Sequence, residues 1–584
     1  MRFSNLRRRR VAAVVIPVAA IGMLVVPLSI SSFAQGGAGT AKPPPGGVAP
    51  FVTPTLPDPT VLGAPAAQIH GFDDIGFIQS ATVDATNASC PNTADPHRFG
   101  GTLTLNNGPI VIPCNMVIQA PANTFTWADF VNGGPDLSLG TGYPSFEMHA
   151  IGNIVGFRRI AGLLYASQQS LNGSTGVITG IDYATGNLKV DTGSSATPAI
   201  VQINDPKGRF GRAQSPDPRF SVDDANPTVH AGTGYPMCVP RTDPATAGGD
   251  DPLCPQANRP KPSATGQCRN FSVSGIAPPV SGELTPAPAG QAYCSEFVMK
   301  SVADASRTAT DADPRQQAPF EVGDSITFSG TLVPATATAA EYISAHTIEA
   351  NIGIYTMPGT QPSYLAIGQF GVGTADPNRI SINGLAVETQ DRIFLEAETT
   401  DVKTPVDIYM MDVNPVTGAV RNRWATPFEM TGEQNGPNLP GTLTPVGGGI
   451  TTQNAGPQPQ RARLRATKAP IGLLSQPTRT VRVAVRSLCV PQAPVNDPVT
   501  GSPVLTALDD CLNKNDPTNQ VANGLEAGQY FAPTFEFIFP ENVKPGDLLV
   551  PFDFWHLPFI AKGEGAGTAS AVGPGVGPLE PSPW

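Results

Sequence analysis

The residues whose types suit them to chemistry are scattered along this chain. Six histidines, His70, His97, His149, His230, His346 and His556, occur in 584 residues. No two of them stand at the His-x-x-x-His or His-Glu-x-x-His spacing that brings two imidazoles to one metal ion. No serine sits in a Gly-x-Ser-x-Gly elbow. Asp311 and Asp313, in Thr310-Asp311-Ala312-Asp313, offer oxygens of the kind calcium takes, but the rest of an EF-hand loop is missing and an Asp-Pro turn accounts for them. Two carboxylates suffice for glycoside hydrolysis, and 47 acidic residues leave too many pairs to select one. The sequence therefore names no catalytic residue, no cofactor-binding residue, no metal ligand and no cofactor.

Two features suggest binding, and each has a structural explanation. Arg461, Arg463 and Arg465 alternate along one strand, as do Arg482 and Arg486 along another. On neighbouring strands they would form a basic patch for an acidic polymer. Glu396 and Glu398 on a third strand would instead pair with them across the sheet, at roughly 0.2–1 kcal/mol per pair, and this is the favoured reading. The patch Phe552-Asp553-Phe554-Trp555-His556-Leu557-Pro558-Phe559 has the apolar faces on which sugars stack. Its spacing fits a core plug better, and Trp127 and Trp424 read the same way.

The elements around these residues belong to an exported protein. Arg7 to Arg10 form a basic head, an apolar run extends from Val11 to Ile30, and Ser32-Phe33-Ala34 supplies small residues for a signal peptidase. Residues 1–34 are predicted to be a cleaved signal peptide, which makes the protein secreted or extracellular. The alternative is a retained membrane anchor, since the run is close to the ~20 residues needed to span a bilayer, although Pro17 and Pro27 interrupt it. Contact with a membrane is expected only in that case. Removing the five arginines of this region leaves 31 basic against 47 acidic residues, a net charge of −16. That sign repels phosphate backbones and argues against nucleic-acid binding.

Eight cysteines follow the signal: Cys90, Cys114, Cys238, Cys254, Cys268, Cys294, Cys489 and Cys511. An even count in an exported chain predicts four structural disulfides. Local pairing gives Cys90–Cys114 and Cys489–Cys511, and the middle four leave three connectivities open. No Cys-x-x-Cys pair supports a metal site.

Gly (61) and Pro (63) are abundant and charged residues make up only 14%. This composition predicts an all-β, multi-domain protein of short elements with many turns. A Gly/Pro-rich linker covers 35–60, an N-terminal disulfide segment 61–139 and a β module 140–212. A Cys/Pro-rich irregular region follows over 213–318, then a second β module over 319–375. A β-sandwich is expected over 376–490, a C-terminal β segment over 491–562 and a disordered tail over 563–584.

The second module begins Gly323-Asp324-Ser325-Ile326-Thr327-Phe328-Ser329-Gly330-Thr331-Leu332-Val333 and meets Tyr342-Ile343-Ser344-Ala345-His346-Thr347-Ile348. A strand that enters through Gly-Asp, bends at a central Gly and pairs with a Tyr-Ile-rich partner resembles the opening of an OB-fold small barrel, because a Gly lets one strand coil enough to serve both sheets. The resemblance covers 323–367 and, more faintly, 145–212. There, Val177 to Tyr183 and Asn187 to Val190 make a hairpin around Ala184-Thr185-Gly186. Bacterial immunoglobulin-like modules begin similarly. The two segments are either repeats or halves of one barrel. The whole implies a non-catalytic extracellular or cell-envelope protein with a binding or structural role, whose partner is an extracellular polysaccharide or another envelope component. A secreted polysaccharide hydrolase is the alternative. Oligomeric state is not legible.

Overall fold

The computed structural model describes residues 69–85, 94–113, 116–138, 146–155, 158–166, 173–223, 226–262, 268, 292–302, 304–356 and 362–373, with shorter pieces between 392 and 538. The described residues are dominated by strands, and their one α-helix has six residues (α1, Trp127–Asn132). Among them, no helix is long and apolar enough to cross a membrane. The signal, the linker, the tail, the 552–559 patch, Arg461, Arg486, Cys90, Cys114, Cys489 and Cys511 lie outside them.

The first sheet contains β1 (Ile69–Phe77), β2 (Ser80–Val83), β3 (Gly101–Leu105), β4 (Gly108–Ile112), β5 (Val117–Gln119), β6 (Thr124–Thr126), β7 (Glu147–Val155) and β8 (Arg158–Ala166). Its order is β1-β7-β8-β4-β3-β2, with β5 joining β8 beyond β4 and β6 pairing with β5. Alternation builds its core: Leu103 and Leu105 on β3 and Ile110 and Ile112 on β4 point to one side, against Trp127 and Phe130 of α1. Thr126 caps α1 by accepting from the Asp129 N–H at 3.2 Å. Trp127 is fully buried and donates Nε1–H to the Thr82 carbonyl at 3.0 Å, so it is the core residue its sequence context predicts.

The second sheet closes on itself. It consists of β9 (Ser174–Asp182), β10 (Asn187–Asp191), β11 (Ala199–Ile203), β12 (Val229–Ala231), β16 (Ser325–Val333) and β17 (Tyr342–Ala350). The order β11-β10-β9-β16-β17-β12, with a further pairing of β11 to β17, makes a five-strand ring, and β12 follows β11 along the same edge of β17. The β11–β17 pair is parallel, and the other contacts around the ring are antiparallel. The two halves that sequence leaves open thus contribute to one ring: β9 to β11 from the earlier segment, β16 and β17 from the later one. In contrast, β7 and β8, which sequence groups with β9 to β11, belong to the first sheet.

Closure depends on Gly330. The β16–β17 register shifts between Ser329 and Gly330, and a Cβ at Gly330 would lie 2.2 Å from the Ser344 carbonyl oxygen. Only glycine lets the strands approach so closely at that bend. Ile178, Leu188, Val190, Val201, Ile203, Ile326, Phe328 and Ile348 fill the interior.

Residues 204–324 run between β11 and β16 as one long insertion. Among its described residues, regular structure is confined to β12, β13 (Met237–Cys238), β14 (Glu296–Met299), β15 (Ala318–Pro319) and two 3-10 turns. Polar side chains take over from backbone ladders. Buried Asn258 donates to the carbonyls of Asp313, Gln316 and Gln317 at 2.8–3.0 Å, and Asn204 donates to those of Asp217 and Phe220. Disulfides Cys238–Cys254 and Cys268–Cys294 settle the middle connectivity as neighbour with neighbour. Disulfides of this kind persist in oxidising compartments.

The insertion is anchored on both sides. Phe220 stacks on Phe146 of the first core at 4.2 Å, beside Arg219, whose guanidinium is buried with Asp217 and donates to the Phe130 carbonyl. Toward the ring, Arg259 meets Asp324 at 2.6 and 2.8 Å with both side chains buried.

After β18 (Gly353–Thr356), which pairs with β14, come β19 (Leu365–Gly373), β20 (Arg392–Thr399), β21 (Val406–Val413), β22 (Val420–Trp424), β23 (Thr451–Thr452) and β24 (Ala462–Arg465). β25 (Thr480–Val485), β26 (Val495–Asn496), β27 (Pro503–Val504), β28 (Gln529–Pro533) and β29 (Glu536–Ile538) complete the set. They form the sheets β23-β24-β20-β19-β29 and β22-β21-β25-β28 and the pair β26-β27.

Candidate functional site

A cleft of about 920 Å³ opens at one rim of the ring, between the β9–β10 turn, the outer face of β10 and β11, the loop after β11, and the start of β17. Each wall has a local cause. On β10 and β11, Leu188, Val190, Val201 and Ile203 face the core. Asn187, Ile200 and Gln202, with the opposite parity, form the floor of the cleft. Asn187 and Gln202 share an end of the β10–β11 pair, and Gln202 Nε2 donates to Asn187 Oδ1 at 2.9 Å.

The turn wall is Ala184 and Thr185. Asp182 organises it: its carboxylate accepts from the N–H groups of Ala184 and Thr185, and its carbonyl accepts from that of Gly186. A hydrogen bond with the Thr185 side chain, joined by the N–H bonds of Ala184 and Thr185, holds the Asp182 carboxyl below its usual range against burial. Gly186 has φ +78°, as the hairpin turn requires, and a Cβ there would lie 3.1 Å from Gln214 Nε2 and 3.5 Å from Arg212 Cδ.

The basic wall comes from Lys207-Gly208-Arg209-Phe210-Gly211-Arg212. Buried Asp205 shapes this loop, accepting from the Phe210 N–H at 2.6 Å and from those of Lys207 and Gly208, and burial pushes its carboxyl up. Arg212, exposed, donates Nε–H to the Tyr183 carbonyl at 3.1 Å and Nη2–H to those of Tyr183 and Arg241 at 2.9 and 2.8 Å. Arg241 also lines the cleft, but Asp251 neutralises it at 2.9 Å. Burial works to raise the Asp251 carboxyl, yet the Arg241 and Leu253 N–H groups and the Arg241 guanidinium hold it below its usual range. The far wall carries Ala339, Ala340 and Tyr342.

The lining thus has three cations, three amides, an aromatic ring and no carboxylate among the described residues. It can hold a polyhydroxylated or anionic ligand. Hydrolysis of a glycosidic bond would need a pair of acids that this lining does not supply.

Most residues that sequence singles out lie elsewhere. β24 pairs with β20, placing Arg463 at the register position facing Glu396, whereas β25, with Arg482, belongs to the other sheet. The two arginine rows therefore do not share a sheet. Asp311 accepts from Lys300 Nζ at 3.1 Å and from Thr308, and Asp313 pairs with Arg315 and Arg307. Among the described residues no group of three or more His, Cys, Asp or Glu side chains could hold a metal ion. His97 lies exposed beside Asp129, while His149, His230 and His346 are buried, and burial lowers His346 to about 4.

No protein-family model matches the chain, and no curated protein and no solved structure matches it.

Proposed function

We propose that the protein is an exported, non-catalytic β-protein that binds an extracellular polysaccharide through the cleft at the rim of its ring. The observation that carries this reading is the position of the cleft. In a five-stranded OB-like barrel, oligosaccharides and oligonucleotides lie across the face of the second and third strands, between the loops joining strands one to two and four to five. With β9, β10, β11, β16 and β17 as the five strands, those places are the outer face of β10 and β11, Ala184-Thr185 and Ala339-Ala340, and all three line the cleft. Parallel pairing of the third and fifth strands supports the same assignment. Amides suit sugar hydroxyls, and Tyr342 offers an apolar face. The two disulfides support export to an oxidising compartment.

The test is retention of the exported protein on insoluble wall polysaccharides, with released sugar assayed in the supernatant. Retention without release, weakened in Asn187→Ala/Gln202→Ala, is the expected result. Release of reducing ends would establish the hydrolase instead.

A further inference from the structure

Resting on the binding reading above, we infer that the cleft selects an acidic glycan, one whose sugars carry carboxylate or sulfate groups, through Arg212 and Lys207. The first reason is a reversal of charge. The chain has 47 acidic and 36 basic residues, yet the cleft lining holds Lys207, Arg212 and Arg241 and no acid among the described residues. A surface that is acidic overall repels polyanions at long range, so a cationic cleft within it makes binding local and selective.

The second reason is how Arg212 is held. Among the described residues its partners are two backbone carbonyls, of Tyr183 and Arg241, which orient a guanidinium without cancelling its charge. Those bonds occupy Nε and Nη2, leaving the two N–H groups of Nη1 for a ligand. A guanidinium ordered before binding loses little entropy when it takes a carboxylate or sulfate oxygen. Arg241 serves differently: Asp251 neutralises it, and its carbonyl and guanidinium brace the wall at Arg212 and Gly208.

The third reason is that the turn is cut to fit. A side chain at Gly186 would press on Gln214 and on the stem of Arg212. Between the two macromolecular polyanions, the glycan is favoured. Single-stranded nucleic acid is held by successive aromatic platforms, and this lining has one ring, Tyr342, beside the amides of Asn187, Gln202 and Gln214.

Affinity electrophoresis of the exported protein tests this with three probes: polygalacturonate, the same polymer fully methyl-esterified, and a mixed-sequence DNA oligonucleotide. The acidic polymer is expected to bind roughly tenfold or more tightly than its ester at low salt, with the preference lost near ~1 M salt, where the screening length is about 3 Å. Lys207→Glu, on an exposed loop, and Arg212→Gln should each weaken binding of the acidic polymer more than binding of the ester, removing most of that preference. Melting curves of both variants establish that they fold. Equal binding of acid and ester would overturn the inference and leave the binding reading intact. Binding of neither polymer would overturn both, and preference for the oligonucleotide would overturn the glycan assignment.

Discussion

The backbone carbonyl of Arg241 accepts a hydrogen bond from Nη2 of Arg212 at 2.8 Å. This contact joins the loop leaving the ring to the loop closed by Cys238–Cys254, across 29 residues of sequence. Because Tyr183 holds the same guanidinium from the β9–β10 hairpin, three separate segments converge on one cation.

The disulfide is therefore expected to act on binding as well as on stability. Cys238→Ala/Cys254→Ala opens a loop with a sequence separation of 16 and should cost about 3 kcal/mol. It should also weaken polysaccharide retention, because Arg241 and Asp251 both lie within that loop. Calorimetry and the retention assay on the same sample check the two effects; lost stability with unchanged retention would separate the loop from the cleft.

Gly186→Ala is expected to destabilise the protein by about 1 kcal/mol, since φ +78° suits glycine. Its effect on retention should exceed that of Gly193→Ala. Gly193 also has positive φ (+69°), but nothing lies within 4 Å of where its Cβ would be. Equal retention in the two variants would show that the turn does not shape the cleft.

Arg259 and Asp324 fasten the insertion to the entry of β16. Removing one partner of a buried ion pair leaves the other charge stranded, so Arg259→Ala should cost on the order of 3–5 kcal/mol in urea unfolding. Arg259→Lys should rescue little, because the lysine ammonium cannot reproduce the two-pronged contact at 2.6 and 2.8 Å.

Stability should depend on pH through two buried groups of opposite sign. Burial raises Glu321 from 4.5 to about 7, against the pull of Gln256 and Arg259. Its folded form holds the proton more tightly than its unfolded form. The resulting stability is present below 4.5 and lost as pH rises through 7, on the order of 1–3 kcal/mol. Burial lowers His346 from 6.5 to about 4, so its contribution is present above 6.5 and lost as pH falls through 4. Glu321→Gln is expected to abolish the loss toward neutral pH and keep the loss toward acid. Unfolding free energies measured at intervals from pH 4 to 8 would reveal it.

Individual strands of the ring were legible in the sequence wherever alternation was strong, but their closure into one ring was not. The β9–β10 hairpin, its turn at Gly186 and the bend at Gly330 all follow from residue type and spacing. Asp324 of the Gly-Asp entry has a role no pattern shows, since its partner Arg259 lies 65 residues away. The insertion was legible only as irregular, because its order rests on Asn204, Asn258 and Arg259 bonding to distant backbone. The cleft is not legible for the same reason: its cations sit in a loop without periodicity, whereas the alternating arginines stand on β24 and β25. A signal was present in Lys207, Arg209 and Arg212, three cations within six residues and no acid among them.

Hydrogen exchange of the protein, with and without wall polysaccharide, tests the central claim most directly. Slowed exchange confined to 183–187, 200–214 and 339–342 is the result expected of a ligand in the cleft. Binding that protects the sheets between 365 and 538 instead, leaving those three segments unchanged, would contradict it.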